Sequence, residues 1–215
     1  MSQAAPIVHL VDDDASFLKA VGRMLSVSGF TVKTFDSAAA LLAQVTAESR
    51  GCVIADLRMP GVSGLGLQDA LAESCPTLPI IFLTGQGDIP SSVRAMRQGA
   101  EDFLVKRAPR RQLLDAVTRA LARDAREHAE RNRLQALRAA FDVLTPRERE
   151  VLAHVLRGQS NKQIAGDLDI HERTVKLHRT AITTKLNVHS VAELTRLAHE
   201  AGLFDAGSTT FPKGQ

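Results

Sequence analysis

Over the first 110 residues, short apolar runs take turns with helical repeats. Runs at 7–11, 30–35, 52–55, 80–83 and 103–105 predict five strands. Between the first two, Phe17, Leu18, Val21, Met24 and Leu25 recur at three-to-four spacing. They predict one apolar helix face, which Gly29 stops. Ser37 is placed to cap a short helix carrying Leu41, Leu42 and Val45. After the third strand a Pro60-Gly61 loop precedes a helix with Leu65, Leu67 and Leu71. After the fourth, Gly85-Gln86-Gly87-Asp88 precedes a helix with Val93, Ala95 and Met96. Leu113, Leu114, Val117 and Leu121 give a fifth helix its face toward the sheet. Strands alternating with helices imply an α/β doubly wound domain on a five-stranded parallel sheet, over residues 1–121.

The pattern then changes. No Gly or Pro interrupts residues 110–144, and residues 123–133 are a charged run. Arg123–Glu127, Arg126–Glu130 and Glu127–Arg131 are opposite-sign pairs four apart, each worth about 0.2–0.5 kcal/mol on a helix. One long helix, or two in line, is expected, with residues 122–143 as a stiff linker. Leu134, Leu137, Phe141 and Leu144 form a three-four-three seam too short for a coiled coil. It either makes a dimer contact or packs on the last domain, and packing is the plainer reading.

Residues 144–204 read as an all-α domain of four helices. Three helix starts have the form of a reciprocal cap: Thr145 with Glu148, Ser160 with Gln163, and Ser190 with Glu193. Residues 161–168 and about 172–186, joined by a short turn, have helix-turn-helix spacing. In the second of these, Val175, Ile182 and Leu186 share one side, with His178 at its edge. Arg173, Leu177, Thr180 and Thr184 share the other, flanked by Lys176. The first set is core. The second could enter a major groove, where cations read guanine and methyl groups touch thymine. Ser160, Asn161, Lys162 and Gln163, at a helix start, could meet backbone phosphate. The tail, residues 205–215, is rich in Gly, Ser and Thr and is expected to be disordered.

Composition narrows the classes. An apolar fraction of 44% over 215 residues supports one or two real cores. No apolar stretch approaches the roughly 18 residues of a membrane span, and residues 1–6 lack a signal pattern. A cytoplasmic protein with no membrane partner is expected. Cys52 and Cys75 have no metal-site spacing and are expected to be inert thiols. The net charge of +3 is uneven: 10 basic against 11 acidic residues up to Arg110, then 7 against 5 up to Leu144, then 10 against 8. That asymmetry permits a nucleic-acid partner without establishing one.

The chemistry lies at the strand ends. The first strand runs into Asp12-Asp13, the third into Asp56, the fourth ends at Thr84 and the fifth at Lys106. In an open parallel sheet, ligands bind outside the carboxyl ends of the strands. Three carboxylates, a hydroxyl and an amine would therefore converge. Hard oxygen ligands of this kind suit Mg²⁺, and without a cation they would repel one another. Asp56 could attack a phosphoryl group, with Lys106 and the cation offsetting the charge on the transferring oxygens and Thr84 donating a hydrogen bond. The plainer alternative, a helix-capping turn at Asp12–Asp14 and a strand-ending Asp56, explains each residue but not all five together.

Val11-Asp12-Asp13-Asp14, Asp56-Leu57-Arg58-Met59-Pro60-Gly61, Thr84-Gly85 and Asp102-Phe103-x-x-Lys106 resemble the receiver domain of two-component response regulators. The resemblance implies that Asp56 accepts a phosphoryl group from a sensor histidine kinase. It implies Mg²⁺ held by Asp13, Asp56 and the Arg58 carbonyl, and by Asp12 through water, with Thr84 and Phe103 as paired switch residues. One departure is Arg107, where the family usually has proline, often with a cis bond. A cis bond without proline costs about 2.5–4 kcal/mol, so a trans or strained loop is expected. Phosphatases of the haloacid-dehalogenase type also use a strand-end aspartate with Mg²⁺. They need a second acid two residues on, and Arg58 stands there. Storage of the phosphoryl group fits better than its turnover.

Residues 144–152 (Leu-Thr-Pro-Arg-Glu-Arg-Glu-Val-Leu), Asn161-Lys162-Gln163-Ile164-Ala165, Thr174-Val175-Lys176-x-His178-Arg179 and Lys185-Leu186 resemble the LuxR-type DNA-binding domain. With the receiver in front, the chain resembles a NarL/FixJ-type response regulator. That implies a phosphorylation-dependent regulator, not an enzyme, which binds paired half-sites in double-stranded DNA as a dimer and acts on RNA polymerase. Arg173, Thr174, Lys176, Leu177, Arg179, Thr180 and Thr184 would face DNA, and Val191 and Leu194 a second copy. His171 departs from the Ser or Thr expected to cap the recognition helix, a change worth about 0.5–2 kcal/mol. Quorum-sensing relatives bind an acyl lactone in pockets that use Trp and Tyr, and this chain has neither.

Overall fold

The computed structural model describes residues 5–75, 77–85 and 89–203, and the chain forms two compact units, one up to Ala129 and one from Glu130. In the first, β1 (Ile7–Val11), α1 (Ala15–Val27), β2 (Val32–Phe35), α2 (Ala38–Leu42) and β3 (Gly51–Ala55) are followed by α3 (Gly64–Ser74) and β4 (Ile80–Thr84). Then come α4 (Ile89–Arg97), β5 (Asp102–Val105) and α5 (Arg110–Asp142), the last continuing into the second unit. All strand pairs are parallel, in the order β2-β1-β3-β4-β5. The chain moves outward to β2 from β1 and the other way from β3. The crevice between the ends of β1 and β3 is therefore the topological switch point.

Both sheet faces are covered, which is why β3 and β4 read as unbroken apolar runs. On one face Val8, Leu10, Ile54 and Ile81 pack with Leu18 and Leu25 of α1 and with Leu113, Ala116 and Val117 of α5. On the other, Val11, Val53 and Phe82 pack with Leu41 of α2, Leu67 and Leu71 of α3 and Ala95 of α4. Each fully buried Leu, Ile or Phe contributes about 1.5–3 kcal/mol. Gly64 lets α3 begin against the third strand's end: a Cβ there would lie 2.4 Å from the Asp56 carbonyl oxygen.

Three expectations change. The second strand starts at Val32 rather than 30, because Phe30 turns in to join the α1 side of the core. In α4 only Ala95 is buried, and Val93 and Met96 are exposed, so this helix lies on the sheet by a narrow contact. The start of the expected linker belongs to the first unit. Asp124 is fully buried, with Arg50 Nε donating to it at 3.0 Å and His128 Nε2 3.7 Å away. The loop at Gln86–Asp88 and the tail at 205–215 lie outside the described residues.

In the second unit α6 (Pro146–Leu156), α7 (Asn161–Asp167), α8 (Glu172–Lys185) and α9 (Val191–Glu200) surround a core of Val151, Leu152, Ile164, Val175, Ile182 and Leu194. Phe141, Leu144 and the half-buried Leu137 pack into that core, so the seam serves packing within the unit. Thr145 and Ser160 make full reciprocal caps with Glu148 and Gln163. At α9, Ser190 accepts the Glu193 N–H, but the Glu193 carboxylate takes the N–H of His189 instead of that of Ser190. His171 starts α8 in an extended conformation with no side-chain cap bond. Cys52 and Cys75 are buried free thiols, and burial pushes Cys52 up to about 12, helped by the charges of Asp124 and Glu101.

Candidate functional site

Three short steps in the chain build the strand-end cluster. As β1 ends, Asp12 accepts the N–H of Asp14 at 3.0 Å and is buried. Asp14 then caps α1, accepting the N–H groups of Ser16 and Phe17 at 2.8 and 3.1 Å. Of the three leading aspartates the third does the capping, which leaves Asp12 and Asp13 for the cluster. As β3 ends, Asp56 stays buried and accepts the N–H of Arg58 at 3.3 Å, while the Arg58 side chain is exposed. As β5 ends, the Lys106 N–H donates to the Thr84 carbonyl at 2.7 Å, fastening two strand ends together. Thr84 is buried. Phe103 is half-buried, its ring centroid 6.0 Å from that of Phe82.

One carboxylate oxygen from each of Asp12, Asp13 and Asp56 can be chosen so that all three lie within 4.8 Å of one another. The Lys106 ammonium pairs with Asp12 Oδ2 at 2.5 Å and with Asp56 Oδ2 at 2.7 Å. Burial raises the Asp12 pKa above the usual carboxylate range, partly offset by the hydrogen bond from Lys106. For Lys106, burial works to lower the pKa. The hydrogen bonds to Asp12 and Asp56 outweigh it and leave the ammonium held above its ordinary value. A partly buried set of hard oxygen donors whose three carboxylates outnumber the Lys106 ammonium fits a small divalent ion. No described peptide bond is cis, so the chain past Lys106 needs no proline to place the amine in the cluster. Phe17 is a residue that the sequence pattern placed only in the core. The Lys106 Nζ lies 4.3 Å from the centroid of its ring. The clue was its position three residues past the Asp14 cap, beside the acid pair.

The second unit presents a separate surface. On α8, Val175 and Ile182 are buried, while Arg173, Lys176, Leu177, Thr180 and Thr184 are exposed. Leu177 keeps 64% of its surface in water, which nothing in this unit's own packing explains. Thr174 and Arg179 are half-exposed, and Arg179 Nη1 donates to Asn161 Oδ1 at 3.2 Å, tying α8 to the start of α7. Ser160 and Lys162 are exposed beside it. Beneath this surface Lys185 Nζ donates to buried Glu148 at 2.7 Å and holds α8 to α6. On α9, Val191 is exposed but Leu194 is in the core. Leu194 therefore cannot be part of a surface for a second copy, because Ala198 and Val188 pack around it from within.

Comparison with known proteins covers both units. Residues 8–118 match the family model of the response regulator receiver domain. Residues 142–198 match that of the bacterial regulatory proteins of the luxR family. The chain is 40% identical to the response regulator protein TodT of Pseudomonas putida, over 92% of this chain and 87% of the relative. It is 38% identical to the transcriptional regulatory protein FixJ of Rhizobium meliloti, over 91% and 96%. Among solved structures, the response regulator StyR superposes with a TM-score of 0.81 at 44% identity, covering 92% of this chain and all of that one. Full-length FixJ from B. japonicum gives 0.55 at 35% identity, covering 94% of this chain and all of that one.

Proposed function

Because this chain belongs to the response regulators, with a receiver domain followed by a LuxR-type DNA-binding domain, we propose that Asp56 accepts a phosphoryl group and that its occupancy controls DNA binding by the second domain. The protein is a transcriptional regulator rather than a typical enzyme. The observation that carries the proposal is the Lys106 ammonium bonded to both Asp12 and Asp56. That is the charge balance a transferable phosphoryl group needs around its acceptor.

The donor is a phosphohistidine of a sensor kinase. An oxygen of Asp56 forms the new P–O bond as the P–N bond to the kinase imidazole breaks, and the imidazole keeps the electron pair and takes up a proton. Asp13, Asp56, the Arg58 carbonyl and, through water, Asp12 would hold a Mg²⁺ ion, which when bound neutralises charge on the transferring oxygens. Lys106 gives up part of its bond to Asp56 and pairs with a phosphoryl oxygen. Thr84 donates to another, and Phe103, packed on Phe82, shifts with it. The narrow seat of α4, with Val93 and Met96 exposed, makes α4 and β5 the surface that responds.

Phosphorylation shifts the population between two receiver states rather than building a new structure. The favoured state dimerises and presents two α8 helices to paired half-sites in double-stranded DNA, from which the regulator acts on RNA polymerase, activating transcription. Val191 is the dimer residue retained on α9. The site of action is the cytoplasm, and among the described residues no helix is long and apolar enough to cross a membrane. Exposed Arg58 two residues past Asp56 leaves no acid to drive hydrolysis, so the phosphoryl group is stored.

Intact-mass measurement after treatment with acetyl phosphate and Mg²⁺ tests the acceptor. Wild type is expected to gain one phosphoryl group and Asp56→Asn none. Equal labelling of the two would refute Asp56 as acceptor.

A further inference from the structure

The structure assigns Phe17 a role beyond the core: we propose that it is a positioning residue for Lys106, its ring face holding the ammonium between Asp12 and Asp56. This deepens the acceptor reading above and rests on it. A lysine ammonium is a point charge on a flexible four-carbon stem, so other groups must fix where it sits. Here the stem begins from a backbone N–H fastened to the Thr84 carbonyl and is followed by exposed Arg107 in place of a rigid proline. At its tip, Nζ meets two carboxylates on one side and the Phe17 ring on another, 4.3 Å from the centroid. That is well inside the roughly 6 Å over which a ring face attracts a cation. The lysine side chain is only 19% exposed, and partial desolvation strengthens the contact.

Phe17 is itself held firmly. Its N–H bonds to the Asp14 cap in the first turn of α1, and its side chain packs on the α1–α5 side of the sheet. The choice of an aromatic ring has a chemical reason. A third carboxylate beside Lys106 would add repulsion to Asp12 and Asp56 and compete with a phosphoryl oxygen for the ammonium. A ring attracts the cation without offering a lone pair. Lys106 can then exchange Asp56 for a phosphoryl oxygen while staying over the same ring.

The test is the rate of Asp56 labelling by acetyl phosphate in Mg²⁺, during which the P–O bond to acetate breaks and acetate leaves. Phe17→Leu keeps apolar volume but loses the ring. It is expected to slow labelling roughly three- to tenfold, the scale of a partly desolvated cation–π contact, with Mg²⁺ affinity unchanged. Phe17→Tyr should restore the rate to within about twofold, since a phenol ring presents the same face. In a Lys106→Met background Phe17→Leu should have no further effect. A Phe17→Leu rate equal to wild type would overturn the proposal. So would an equal slowing in the Lys106→Met background, which would show that Phe17 acts through helix packing. Wild type that takes no label at all would overturn the acceptor reading and this one together, a result distinct from an active wild type indifferent to Phe17.

Discussion

Buried His9 is expected to set a pH response away from the acidic cluster. It is 6% exposed, its ring 5.9 Å from that of Phe35. Burial first, and the charge of Lys33 second, lower its pKa from 6.5 to about 4. Between those values the unfolded chain binds more protons than the folded one, so stability rises with pH. The contribution is fully present above the unfolded value of 6.5 and is lost as pH falls toward 4, a span worth roughly 3 kcal/mol. His9→Leu is therefore expected to flatten the pH dependence of the first unit's unfolding across that window, followed by the amide signals of β1 and β3. An unchanged slope would show that another group titrates there. Lys106 and Phe17 make the same point at the acidic cluster, where burial decides what lies beside each side chain.

Among the elements, α5 rests on a contact that local sequence does not display, and α8 starts without the cap bond that its sequence position calls for. Asp124 reads as one charge among many on a solvated helix, yet it is fully buried against Arg50, 74 positions earlier in the chain. Asp124→Ala would leave Arg50 largely buried without its partner, at a cost of about 3 kcal/mol. Faster hydrogen exchange in residues 122–129 is the expected sign, and unchanged protection would show that the pair does not hold α5. On α8, His171 has the extended backbone of a cap but supplies no cap bond. His171→Ser should stabilise the second unit by about 1 kcal/mol, read as a higher unfolding midpoint. A loss would mean that the imidazole has a role the helix start does not reveal. Strands β3 and β4 were legible because strands buried on both faces read as apolar runs, and the site because four strand ends carry its groups. Leu194 misled because an apolar residue on an amphipathic helix reads alike as core or as contact surface. Phe17 was read only as core because helical period reports a face, not a neighbour from the far end of the sheet.

At the scale of the whole molecule, the proposed acceptor Asp56 in one unit and the exposed face of α8 in the other belong to one response regulator. Substitution of exposed Leu177 tests whether α8 reads bases or only attracts phosphate by charge. Leu177→Ala is expected to weaken binding to a selected duplex by about 1–2 kcal/mol, the scale of the apolar burial it removes, with little change on random DNA. Lys162→Ala should instead weaken both alike and make binding less sensitive to salt. Equal losses on both duplexes for Leu177→Ala would remove α8 from base readout. The central claim is that a phosphoryl group on Asp56 controls this surface. The direct test titrates a duplex selected from random sequence with wild type and Asp56→Asn, each with and without acetyl phosphate and Mg²⁺. Tighter binding on phosphodonor treatment in wild type alone is the predicted result, and an equal response in Asp56→Asn would contradict the account.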